Sequence, residues 1–209
     1  MEQGTLKYLR LLIPGLIFLL GFYPIYDRYF SGLYEVKSID FSYLTFFSVI
    51  IGSIYYQLNL QRLITRPSHY FITKNICKRL IMISGLSLTE IQKKKVKKER
   101  KYMHVFYNLL DKDESLKRKT ANVYFNGIFW TSTADSFLIN GAFFLLYKYM
   151  FVDFQLSYEY SQIFLVLAIS SIILHVISVI KHINLSNDQL QYLETHYQSD
   201  VNTKMNAIL

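Results

Sequence analysis

Cysteine is all but missing from this sequence. Cys77 is the single one in 209 residues, which excludes an internal disulfide and any cysteine-rich metal site. It falls in a lysine-rich stretch, which suits a reducing cytoplasm, and its expected role is that of a small core hydrophobe. Proline occurs three times, and no low-complexity linker or long internal repeat is present. Acidic residues are few, 15 against 23 Lys and Arg, for a net charge of +8. Enzyme signatures are missing too. There is no phosphate-binding glycine loop, no nucleophile elbow and no His/Cys metal cluster. Arg66-Pro67-Ser68-His69 matches only a fragment of lipid-phosphatase motifs. Arg100 and His104 fall one residue short of the Arg/His spacing of HEPN ribonucleases, and Asp111-Lys112-Asp113 is too common a pattern to mark a metal site. The expectation is a protein that is not an enzyme and carries no cofactor.

What the chain has in abundance is apolar surface. Hydrophobic residues make up 52% of it and aromatic residues 17%, too much for an ordinary soluble domain of this size. Four apolar stretches stand out, at Leu11–Tyr26, Phe41–Leu58, Val123–Tyr147 and Ile163–Ile180. A bilayer-crossing helix needs about 20 mostly apolar residues. The first stretch is short, but Arg10 and Asp27 at its ends can snorkel and Tyr8, Tyr23, Tyr26 and Tyr29 supply interfacial rings. No small-residue cleavage pattern follows it, so it reads as a span and not a signal peptide.

Charge sets the orientation. Gln61–Ala121, between the second and third stretches, carries 16 basic residues against five acidic ones. The connectors Asp27–Asp40 and Lys148–Gln162 carry more acid than base, and the C-terminal tail opens with Lys181 and His182. By the positive-inside rule the connectors lie outside, and both termini and the insert lie inside. The sequence therefore predicts an all-α, multi-pass inner-membrane protein with four transmembrane helices and cytoplasmic N- and C-termini. Residues 1–60 form a first transmembrane hairpin, 61–121 a basic helical cytoplasmic insert, 122–183 a second hairpin and 184–209 a cytoplasmic tail.

Within the insert, Phe71–Ser84 reads as an amphipathic helix, on the membrane surface or packed on its neighbours, ended by Gly85. Pro67 is expected to break the chain after the second span. Ser87 and Glu90 have capping-box spacing before one helix over Leu88–Leu110. Asp113 or Ser115 then caps a helix that continues into the third span. The second and third spans with these extensions are expected to form a cytoplasmic stalk.

Three groups of residues are candidates for function. Asp135 is the one carboxylate inside an apolar stretch, and a charge in mid-bilayer costs at least about 2.5–3.5 kcal/mol. It should face protein or water. Ser132, Ser136 and Asn140 recur at i+4 beside it, and Ser171, His175 and Ser178 share a face of the fourth stretch. Helix rise puts Asp135 level with Ser171 and His175 level with Ser132, so a hydrogen-bonded seam is expected and a direct Asp135–His175 pair is not. That seam is either helix-packing glue or a water-lined path. The second group is Lys93, Lys94, Lys95, Lys97, Lys98, Arg100 and Lys101, a surface for solvent, anionic headgroups or an acidic soluble protein. Direct nucleic-acid binding is not expected, because no base-reading module accompanies the run and Tyr102, Phe106 and Tyr107 have core spacing. The third is Ser48 and Gly52, small residues four apart that allow close helix packing.

Span count, termini inside, a basic insert and a lysine-, isoleucine- and tyrosine-rich composition together resemble the small four-span membrane components of prokaryotic antiphage systems. The Kiwa membrane subunit and the small membrane proteins beside some CRISPR effectors are of this type. The resemblance implies a homo-oligomer in contact with membrane lipids that senses infection or perturbs the membrane with a soluble cytoplasmic partner. It carries over no site residues. From the residues themselves, an anchor and regulator of a partner, acting through the insert and the tail (Leu185, Leu190, Tyr192, Leu193, Tyr197), stands beside a pore lined by the third and fourth spans.

Overall fold

A computed structural model of the chain describes residues 3–30, 41–150 and 156–209. The expected outer connectors fall largely on 31–40 and 151–155, outside the described residues. Among the described residues, eight α-helices follow one another: α1 Gln3–Tyr29, α2 Phe41–Leu58, α3 Arg62–Ser84, α4 Glu90–Glu99, α5 Lys101–Leu110, α6 Glu114–Met150, α7 Ser161–His196 and α8 Gln198–Asn206. A π-helical turn, Leu156–Tyr160, leads into α7. No strand occurs among the described residues. Three helical stretches, Tyr8–Tyr29, Phe41–Leu58 and Tyr158–His196, are long and apolar enough to cross a bilayer, which marks a membrane protein. The third expected span lies in α6 and is not one of these. Asn126, Thr131, Ser132, Thr133, Asp135, Ser136 and Asn140 interrupt its apolar run.

Three local expectations need correction. The chain turns after the second span at Asn59, not at Pro67, which sits inside α3. Asn59 takes the left-handed conformation (φ 53°), tolerable for asparagine, and its side chain bonds the Gln57 carbonyl at 3.1 Å. The capping box falls two residues later than Ser87, on Thr89 and Gln92, an equally good pair. The helix expected over Leu88–Leu110 is broken at Arg100 (φ 53°), where α4 ends and α5 begins. Seven basic residues in nine repel along one helix, and the break splays them.

The chain forms two compact units. The first comprises residues 1–65 and 128–177. Its α1 and α2 run antiparallel in near backbone contact, because Gly15 faces the Ser48 carbonyl and Gly52 faces the Leu11 carbonyl. Neither position leaves room for a Cβ, and the buried Ser48 and Gly52 thus serve close helix packing. Tyr55, Ile139, Phe143, Tyr147 and Phe164 form the unit's buried cluster, with Phe18 against its rim. The Tyr147 and Phe164 rings stack at 5.2 Å, and the Tyr147 hydroxyl donates to the Gly21 carbonyl at 2.8 Å. Large side chains on the outer faces stay exposed, including Phe46, Phe47, Ile50 and Ile54 on α2 and Val166, Ile169, Ile173 and Val176 on α7. Such faces are stable against lipid and costly against water.

The second unit, residues 66–127 and 178–209, has a core of its own. Ile72, Ile76, Cys77, Leu80 and Ile83 of α3 are buried with Val96, Tyr102, Val105, Phe106, Leu109, Leu110 and Leu116. The apolar face of α3 is therefore spent on protein packing, although Phe71 remains exposed. Leu190, Leu193, Val201 and Met205 of the C-terminal segment are fully buried in this unit. The apolar tail residues Leu190 and Leu193, expected to dock a partner, fold onto the chain's own insert. Gly85 ends α3 with a positive φ of 65°, which glycine adopts without strain.

Candidate functional site

The polar groups of the first unit gather on α6 and α7. Asn140 Nδ2 donates to Ser136 Oγ at 3.0 Å, Ser136 Oγ lies 2.8 Å from Ser171 Oγ, and Ser171 Oγ donates to the Leu167 carbonyl at 2.7 Å. Because the Ser171 proton is committed to Leu167, Ser136 is the donor in the pair. Each hydroxyl in this chain both gives and accepts, so neither is left unpaired in the apolar surroundings. One turn away, Thr133 donates to the Trp130 carbonyl at 2.9 Å. His175 Nδ1 lies 3.2 Å from that carbonyl and 3.3 Å from Thr133 Oγ1. Both oxygens can only accept there, which assigns the ring proton to Nδ1. His175 is buried, and these bonds hold it against α6.

Asp135 points to the other side of α6. It is 6% exposed, and its carboxyl interacts with the Tyr55 hydroxyl of α2 and with the Arg10 guanidinium of α1. Asp135 Oδ1, Tyr55 Oη and Arg10 Nε are all buried atoms without a hydrogen bond of ordinary geometry. Helix register explains the meeting. Gly21 packs on the Phe143 ring and bonds Tyr147, so α1 and α6 run side by side with residue numbers offset by about 122–126. Arg10 is then level with Asp135. The carboxylate thus lies beside the N-terminal end of the α1 span.

The expected seam is therefore two arrangements. Ser136, Asn140 and Ser171 form the α6–α7 chain, Asp135 belongs to the α1–α2 side, and Ser132 is half-buried. Ser178 lies in the second unit, where its carbonyl accepts from Asn126 Nδ2 at 3.0 Å. Sequence reasoning counted Thr133 among the polar residues of α6 without giving it a partner, and missed Tyr55 and Arg10. Tyr55 lies one turn from Gly52 on the close-packed face of α2, a signal that was present. Arg10 looked like a snorkelling end-charge.

In the second unit, the basic run divides at Arg100. Lys94, Lys95, Lys98, Arg100 and Lys101 are exposed, whereas Lys93 is half-buried and pairs with Glu90 at 2.9 Å. Lys95 Nζ also donates to the Leu209 carbonyl at 3.0 Å. The Lys97 side chain lies outside the described residues. The tail is tied down by Asp113. Its Oδ1 accepts the Ser115 and Leu116 amides at 2.7 and 3.0 Å, capping α6. Its Oδ2 accepts the Tyr197 and Tyr192 hydroxyls at 3.0 and 3.3 Å. The Leu116 amide above all, helped by Tyr197, holds the carboxyl below its ordinary pKa, against a smaller opposite pull from burial. The same bond raises the Tyr197 phenol. Among the described residues, no three His, Cys, Asp or Glu side chains are placed to hold a metal.

No protein-family model, curated protein or solved structure matches this chain.

Proposed function

We propose that this is an oligomeric, four-span inner-membrane protein with both termini inside, and that its second unit is a cytoplasmic platform that anchors and regulates an acidic soluble partner. A sensing role in antiphage defence, as the architectural resemblance implies, belongs to the same reading. One observation carries it. The insert and tail build a helical unit with its own buried core, and that unit leaves Lys94, Lys95, Lys98, Arg100 and Lys101 exposed around the Arg100 break. A run needed only for topology would require no folded support. A rigid cationic edge gives electrostatic complementarity and salt-sensitive association. The test is purification from native membranes in mild detergent, with wild type beside Lys94→Gln/Lys95→Gln/Lys98→Gln/Lys101→Gln. A stoichiometric acidic protein released by salt and absent from the variant supports the platform. The same companions on both, or none on either, sink it.

The Asn140–Ser136–Ser171 chain between α6 and α7 favours a second reading, a conducting path along those helices. Ion flux in proteoliposomes that falls with Ser136→Ala supports this path, and tight liposomes argue against it.

A further inference from the structure

The α6 helix is the weakest of the four proposed spans, and Asp135 is the largest single reason. Three observations bear on how it can be held in a membrane. The α1–α6 register set by Gly21, Phe143 and Tyr147 brings Arg10 level with Asp135. The carboxyl of Asp135 faces Arg10 and Tyr55, which come from α1 and α2. All three side chains contribute a buried polar atom to this junction, and Asp135 and Tyr55 are more than nine-tenths buried. The near contact of Gly52 with the Leu11 carbonyl sets the register that brings Tyr55 and Arg10 to neighbouring turns of α2 and α1.

We propose that Arg10 is the counter-charge that admits α6 to the bilayer, so that α6 is stably integrated only when docked on the α1–α2 hairpin, with Tyr55 closing the third side of the pair. An isolated carboxylate in a helix opposes insertion, and an adjacent guanidinium on a helix already in place cancels that opposition. A topology charge would act through its sign alone. A pairing charge acts only while its carboxylate partner is present, and this separates the two roles.

The inference rests on the proposed four-span topology and can fail separately from it. Tyr149, exposed near the far end of α6, is replaced by cysteine in the full chain with Cys77→Ser, and intact cells are labelled with a membrane-impermeant maleimide. Labelling of this parent protein reports an integrated α6, and its absence would refute the topology itself. Given labelling, Arg10→Gln is expected to lower the labelled fraction several-fold, Arg10→Lys to preserve most of it, and Arg10→Gln/Asp135→Asn to restore it. Unchanged labelling in Arg10→Gln overturns the proposal. So does a loss that Asp135→Asn fails to repair, since loss of a topology charge would behave that way.

Discussion

Gly15 of α1 packs directly on the carbonyl of Ser48 in α2, so closely that no side chain fits between the helices. The obstacle is backbone and not the end of a flexible side chain, so it cannot step aside. Overpacking typically costs about 1–3 kcal/mol, and Gly15→Leu should fall at or above the top of that range. Gly127→Ala, where a Cβ meets nothing within 4 Å, should instead stabilise, by about 1 kcal/mol or less through helix propensity. Thermal denaturation of both variants in detergent checks the contrast.

The Ser136–Ser171 bond joins α6 to α7 through two hydroxyls. Interhelical hydrogen bonds in membranes contribute about 0.6 kcal/mol on average. Ser136→Ala and Ser171→Ala should each destabilise the first unit by about that much or slightly more. The double variant should cost less than the two together, because the second change removes a bond already lost. A double-mutant cycle by steric trapping or detergent unfolding measures the coupling, and strict additivity would show the hydroxyls to be independent.

Asp113 makes the second unit acid-sensitive. Its folded carboxyl titrates below the ordinary value of 3.8, so the folded state favours the ionised form. The resulting stability is fully present above that value and is lost as pH falls through the lower folded value. Hydrogen exchange of the α6 start and of the Tyr192–Tyr197 segment should therefore stay slow at neutral pH and accelerate in acid below about pH 4. Asp113→Asn keeps a capping oxygen and should flatten this acid response, whereas Asp113→Ala should also destabilise the unit at neutral pH through loss of the cap.

Cys77 is fully buried in the second unit. It should resist maleimide in the native protein and react once that unit opens. Its labelling against denaturant should track the exposure of Leu80 and Leu109, which are buried in the same unit, and not the melting of α1 and α2. Rapid native labelling would mean that the unit's core is open.

The helices were legible in the sequence because their signals are local. Four apolar stretches, Gly85 and the Asp113 cap can each be read within a few residues. The breaks at Asn59 and Arg100 were less legible, since each is one residue in a left-handed conformation inside a sequence that could continue as helix. The fate of the tail was ambiguous for another reason. Leu190 and Leu193 have the same pattern whether they bury against the chain's own insert or against a partner, and only long-range packing chooses. The site was partly legible. Hydroxyl spacing brought Ser136 and Ser171 to one level, but the Arg10–Asp135 meeting depends on the register between α1 and α6, which no local pattern encodes.

The most direct measurement of the central claim, a membrane-embedded first unit with a cytoplasmic second one, is the sidedness of single cysteines. Lys94→Cys on the basic edge, Asn206→Cys in the tail and Tyr149→Cys near the end of α6 are each introduced into the Cys77→Ser chain, in intact and permeabilised cells. An impermeant maleimide should label Tyr149→Cys in intact cells, and Lys94→Cys and Asn206→Cys only after permeabilisation. Labelling of Lys94→Cys or Asn206→Cys from outside, or of Tyr149→Cys only after permeabilisation, would contradict it.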